Sequence, residues 1–225
     1  MNALRAALAI TAHDVRLEFR RPVVLSGMAL LSVGSLVIVH LAIAGSGRVS
    51  HGVAAGALWI VLLFGALLGI GRTLAAERED DTWDALLLAP VDRTALFFGK
   101  AGTAFVLMAS LHAFVVPVFI ALFPTPGNHD WTAFLAALAM ADLGFALVGV
   151  LVGAIGLRVR TREVLVAAMM LPLTMPLVIV AVAATVTAID PGDTASMARY
   201  LGFLALYDAV FLALGFGVFP EVAVD

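Results

Sequence analysis

Apolar positions in this chain gather into six long blocks separated by short polar breaks, over about residues 23–44, 53–76, 94–123, 131–157, 164–187 and 197–219. As a helix rising 1.5 Å per residue, each block is long enough to cross a hydrocarbon core of about 30 Å. Hydrocarbon offers backbone groups no partners, so helices are the expected form. The pattern predicts an all-α integral membrane protein, a six-span helical bundle filling residues 22–220. The third block is long enough to need tilt or an interfacial first turn, and Pro117 is expected to bend it or end its regular part. Pro172 and Pro176 predict a broken or kinked fifth span. Glycines in the second block (Gly56, Gly65, Gly69, Gly71) and the fourth (Gly144, Gly149, Gly153, Gly156) predict close helix contacts.

Two polar regions have patterns of their own. In residues 1–21, Leu4, Leu8, Ala12, Val15 and Phe19 recur at spacings of three and four, with Arg5, Asp14, Arg16, Glu18, Arg20 and Arg21 between them. This predicts an amphipathic helix lying at the membrane interface, apolar stripe down. The break after the second block reads E-R-E-D-D-T-W-D-A-L-L-L-A-P over residues 77–90; six of its first eight residues are charged, against 13% of the chain. Residues 77–93 must lie on an aqueous side, since each Asp or Arg at a bilayer centre costs about 2.5–3.5 kcal/mol on insertion scales. Residues 82–89 can form a short amphipathic helix, with Trp83, Leu86 and Leu87 on one face, a start capped by Asp80, Asp81 or Thr82, and Pro90 as its end. The plain alternative is a charged loop that only joins two spans; a surface read by another protein is the preferred reading. Residues 221–225 form a short tail.

Composition narrows this further. Of 225 residues 63% are hydrophobic, and the mean hydropathy of +1.09 is that of a membrane protein rather than a soluble domain. The absence of cysteine excludes disulfides and thiolate chemistry. Charges spread through the first twenty residues make a cleaved leader unexpected. The net charge of −3 is less informative than its distribution: eleven of the 13 Lys and Arg lie on the side of the two termini, and only Arg48 and Arg199 lie opposite. The positive-inside rule then places both termini in the cytoplasm.

Candidate chemistry is sparse. The chain has no P-loop, no H-E-x-x-H and no G-x-S-x-G, and no basic soluble face for nucleic acid. The histidines His13, His40, His51, His112 and His129 form no metal motif; each fits an interface or interhelical hydrogen bond better than a haem or metal ligand. Asp142 and Asp208, with His112, fall inside predicted spans, where an ionisable side chain must face the bundle interior, a wet cavity or a partner. A structural hydrogen bond is the plain reading of these acids; proton or substrate passage is the functional one.

The run E-R-E-D-D-T-W-D-A-L-L-L-A-P-V-D-R-T-A-L-F-F-G-K resembles the membrane components of six-span ABC exporters of the ABC-2/type V kind, and most of all the CcmB family of cytochrome c maturation, also called haem exporter protein B. Glu77, Arg78, Glu79, Asp80, Thr82, Leu86 to Leu88, Pro90 and Lys100 follow that family's pattern, with Asp81 where glycine is usual. The likeness extends to Glu18 and Arg20, to P-V-V after them, and to R-V-R-T-R-E before the fifth span. It implies a non-catalytic permease in a bacterial inner membrane. Its expected partners are a cytoplasmic CcmA-like ABC ATPase carrying ATP and Mg, membrane subunits C and D, and haem chaperone E, with two copies of this chain per complex. It implies haem handled by the complex and no cofactor held by this chain. Glu77, Arg78, Glu79, Asp80, Asp81, Thr82, Asp84 and Pro90, braced by Glu18 and Arg20, would couple to the ATPase. Direct haem export and mechanical release of the loaded chaperone are both open, the second being preferred; another ABC exporter and a proton-coupled transporter are the alternatives.

The cysteine-free chain makes the topology easy to test. Single labels at Asp84→Cys and Thr161→Cys are expected to react only from the cytoplasm, and Asn128→Cys only from outside. Reversed accessibility rejects this orientation.

Overall fold

The computed structural model describes residues 3–20, 22–45, 49–79, 92–124, 129–156, 162–190 and 194–222, and all its regular structure there is helical. The helices are α1 (Ala3–Arg20), α2 (Val23–Ala44), α3 (His51–Glu79), α4 (Arg93–Leu122), α5 (Trp131–Gly156), α6 (Arg162–Ile189) and α7 (Thr194–Val222). All but α1 are long and apolar enough to cross a membrane. The chain is thus a multi-pass membrane protein. Residues 82–89, where the short amphipathic helix is expected, lie outside the described residues.

Burial orders the spans. In α3 and α5, 67% and 72% of the membrane window is buried within the chain, against 22% in α2 and α7. α5 is central: it packs on α6 and α7 and also on α3 and α4. Small residues permit this closeness. A Cβ added at Gly149 would come within 2.5 Å of Ile70 on α3, and one at Gly144 within 2.7 Å of Leu177 on α6. In α3, Gly65 and Gly69 likewise face side chains of neighbouring helices, whereas Gly56 meets nothing within 4 Å and serves no close contact. The exposed apolar side chains of α2 and α7, such as Leu30, Ile38, Leu206 and Phe216, are what lipid-facing surfaces require.

Helix α6 runs unbroken through Pro172 and Pro176, and α4 through Pro117. Of the two expectations for α6, broken or kinked, the break is absent. Thr174 donates its hydroxyl to Met170 O at 2.8 Å, and Tyr207 on α7 donates to Leu173 O, three residues before Pro176, at 2.7 Å. Across the core, Trp59 Nε1 donates to Thr185 Oγ1 at 2.8 Å, joining α3 to α6.

The first turns of α4 and α5 are capped alike. Asp92 accepts from the Thr94 amide and hydroxyl at 3.0 and 2.7 Å. Asp130 accepts from the Thr132 hydroxyl at 2.6 Å and the Ala133 amide at 3.0 Å. In both cases the hydroxyl bond first, then the amide bond, hold the carboxyl below its ordinary pKa of 3.8. A depressed folded-state value means that the cap's contribution is complete above 3.8, the unfolded value, and is lost as pH falls through the lowered folded value. Amide exchange at Thr94 and Ala133 in detergent is therefore expected to accelerate selectively on acidification below that range. Asp92→Asn and Asp130→Asn should keep a cap and remove this pH dependence; an unchanged profile in both variants contradicts the assignment.

Candidate functional site

Two polar clusters are built on α4, one near its start and one at mid-depth. The first joins α4 to α1. Ala6 and Ala7 pack on Ala95, and a Cβ at Gly99 would lie 2.8 Å from Ile10 and one at Gly102 2.6 Å from Thr11. The missing side chains let α1 lie directly against α4, close enough for Thr11 Oγ1 to donate to Gly99 O at 2.9 Å. One turn further on, Lys100 Nζ donates to Asp14 Oδ2 at 2.6 Å. The Lys100 side chain is only 4% exposed, so an opposite charge is needed to hold its ammonium there. At the far end of α1, Glu18 Oε1 accepts from the Leu25 amide at 2.9 Å. It caps α2, whose preceding Pro22 offers no side-chain cap. Helix α1 therefore brackets the start of α4 to the start of α2. Arg93, the first residue of α4, also reaches Pro220 O near the end of α7 at 3.4 Å, so the chain's two described ends share one end of the bundle.

The second cluster is intramembrane. His112 Nδ1 on α4 lies 3.0 Å from Asp142 Oδ2 on α5, both side chains being buried. Helical rise puts both roughly 15 Å from the end of the bundle away from α1, about the middle of a 30 Å hydrocarbon layer. His112 Nε2 and Asp142 Oδ1 have no hydrogen-bond partner among the described residues, nor does Oδ1 of Asp208 on α7. A Cβ at Gly144 would sit 2.9 Å from that Asp208 oxygen, so the second acid faces α5 two residues along from Asp142. One buried imidazole–carboxylate pair and a second carboxyl thus occupy adjoining interfaces of α4, α5 and α7.

The histidines at the end away from α1 stay separate. His129 Nδ1 lies 2.9 Å from Ile189 O, beside the backbone bond from Asp130 N to Ala188 O at 2.9 Å. The pair pins the start of α5 to the end of α6. His129 also lines a cavity of about 190 Å³ with Phe123, Trp131, Phe134 and Ile189. His51 is 4.0 Å from Asp190, and the His40 ring meets Phe123 edge-on, its buried Nδ1 without a hydrogen-bond partner among the described residues.

The sequence matches the CcmB protein family over residues 5–221. This chain belongs to that family. Among its relatives, heme exporter protein B of Pseudomonas aeruginosa is 23% identical over 177 residues, covering 76% of each chain. Heme exporter protein B of Paracoccus denitrificans is 26% identical over 175 residues, covering 76% of this chain and 78% of that one. The CcmB match includes both α4 clusters.

Of the residues expected to couple to an ATPase, Glu77, Arg78 and Glu79 continue the backbone of α3. Asp80, Asp81, Thr82, Asp84 and Pro90 lie outside the described residues. Glu18 is turned inward onto α2, and Arg20 is exposed. Asp142 and His112 come together; Asp208, on α7, meets α5 at Gly144 instead. Sequence reasoning missed Asp14 as the partner of Lys100. The available signal was a lysine placed inside an apolar block, which requires an acid from somewhere.

The buried pair yields a mutational test. His112→Leu alone leaves the Asp142 carboxyl without its partner and is expected to cost about 3–5 kcal/mol, whereas His112→Leu with Asp142→Ala should recover most of that loss by replacing the pair with apolar volume. Thermal unfolding in detergent measures both; a double variant no more stable than the single one counts against the pairing.

Proposed function

We propose that this chain is the membrane permease of an ATP-driven complex for cytochrome c maturation. In this reading it converts hydrolysis by a separate CcmA-like ATPase into release of a haem-loaded chaperone E, with haem as the cargo of the assembly. Membrane subunits C and D and a second copy of this chain complete the complex, in a bacterial inner membrane with both termini cytoplasmic. The observation that carries the reading is the CcmB family match over residues 5–221. The relatives' names point to haem, and the absence of a P-loop from this chain calls for an ATPase elsewhere.

The geometry supplies a route for the motion. Residues 77–91 lead from α3 to α4, and their acids, Glu77, Glu79, Asp80, Asp81 and Asp84, suit a basic groove on a partner. A push there reaches the start of α4 directly. The Lys100–Asp14 pair and the close contacts at Gly99 and Gly102 carry it to α1, and the Glu18 cap carries it to α2. Two rigid spans and the bracket would then move together, as in shear or hinge transitions of packed helices.

Glu77→Lys with Glu79→Lys is expected to lower ATPase stimulation and chaperone release at least tenfold in the reconstituted complex, while the chain still assembles in the membrane. Full activity with normal copurification of the ATPase overturns the coupling role. The buried His112–Asp142 pair favours a second reading, a proton-coupled transporter. That reading expects uptake driven by a proton gradient without the ATPase, lost in Asp142→Asn.

A further inference from the structure

We propose that α1 carries a binding surface for anionic phospholipid headgroups, on the membrane leaflet at its end of the bundle. At about 100° per residue, the side chains of α1 divide into three sectors. Leu4, Val15, Leu8, Phe19 and Ala12 follow one another over about 80°. Arg5, Arg16, Arg20 and His13 occupy the next such sector, with Ala9 among them. The rest of the circumference holds Ala6, Ile10, Asp14, Ala7, Glu18 and Thr11, the residues that meet α4 and α2.

Exposure follows this division. Leu4, Leu8 and Phe19 are 71%, 60% and 54% exposed, and Arg5, Arg16, Arg20 and His13 are exposed too. Leu17 and the first residue, Ala3, are out of place, exposed apolar residues within the docked sector. The division also sorts the charges. In sequence, α1 has three arginines and two acids. In the fold Glu18 is committed to the Leu25 amide and Asp14 to Lys100, the second Asp14 oxygen lying 3.4 Å from His13 Nδ1, and neither acid pairs with an arginine of α1. The outward charge is therefore wholly basic, and a segment with a formal charge near neutrality presents three uncompensated guanidinium groups.

The occupant follows from the neighbouring sector. A soluble acidic protein would satisfy the arginines and leave Leu4, Leu8 and Phe19 in water. A bilayer surface satisfies both: the apolar sector enters the acyl boundary, and the arginines extend alongside it to phosphate level. Guanidinium groups at that level favour leaflets with net negative headgroups, by roughly fivefold per arginine. The bracket would then rest on the leaflet, and the lipid charge would set how firmly α1 is held there.

The test uses the full chain in nanodiscs of phosphatidylcholine, alone or mixed with phosphatidylglycerol, with hydrogen–deuterium exchange of the α1 amides as readout. Exchange is expected to be about tenfold slower or more in the mixed discs, with the difference shrinking at high salt. Arg5→Gln/Arg16→Gln/Arg20→Gln should abolish the difference between the discs. Arg5→Lys/Arg16→Lys/Arg20→Lys should retain it, which separates charge from a fault in folding. Equal exchange in both discs, or a lipid effect that survives the glutamine variant, overturns the proposal. So does loss of ATPase capture in the glutamine variant with no dependence on lipid, which would assign the arginines to a protein partner.

Discussion

Hydrocarbon supplies no hydrogen-bond partners, and the interior of this bundle is arranged around that fact. Several polar side chains buried among the spans find partners across helix interfaces, Trp59 with Thr185, Tyr207 with the Leu173 carbonyl and His112 with Asp142, while Asp208 Oδ1 and His40 Nδ1 have none among the described residues. The same requirement explains why Lys100 can be buried near the start of α4. Its ammonium is neutralised by Asp14 of a helix outside the six spans, and the constraint thereby extends to α1.

Helix α4 is where the polar requirements of several neighbours meet. It follows the charged break directly, clasps α1 through Gly99, Lys100 and Gly102, and pairs with α5 at His112. Such a helix does not shift alone, because each of these contacts ties it to another element. This matters for the permease proposed above. Displacement at one end is delivered to packed helices with few alternative arrangements rather than lost in local bending. Membership of the CcmB family gives the arrangement its context, and the bracket is the path that the proposed coupling would use.

Much of the architecture was legible because its signals are local. Six apolar blocks of membrane-spanning length and a three-and-four stripe over Leu4, Leu8, Ala12, Val15 and Phe19 are readable residue by residue; in the fold Val15 is half-buried and the other four are exposed. Asp142 and Asp208 stood out as acids within apolar runs, and both prove buried. Partner choice was not legible. Asp14 and Lys100 are separated by 86 residues, and nothing near either names the other. Of the broken or kinked helix expected at Pro172 and Pro176, the break is absent, and the bond from Tyr207 on a different span to the Leu173 carbonyl was not legible either.

By itself the sequence determined that this protein crosses a membrane, how many segments are apolar enough to do so, and which family pattern it follows. Those properties depend on hydrophobicity summed over adjacent residues and on short motifs, and no distant contact can reverse them. Only the tertiary structure decided which face of α1 docks, which histidine meets Asp142, and that neither acid of α1 pairs with its arginines, which remain outside. Each of those outcomes depends on which helices lie side by side, and that is settled by packing: small residues at Gly99, Gly102, Gly144 and Gly149 let particular pairs approach, and the polar groups then pair with whatever the approach brings within reach.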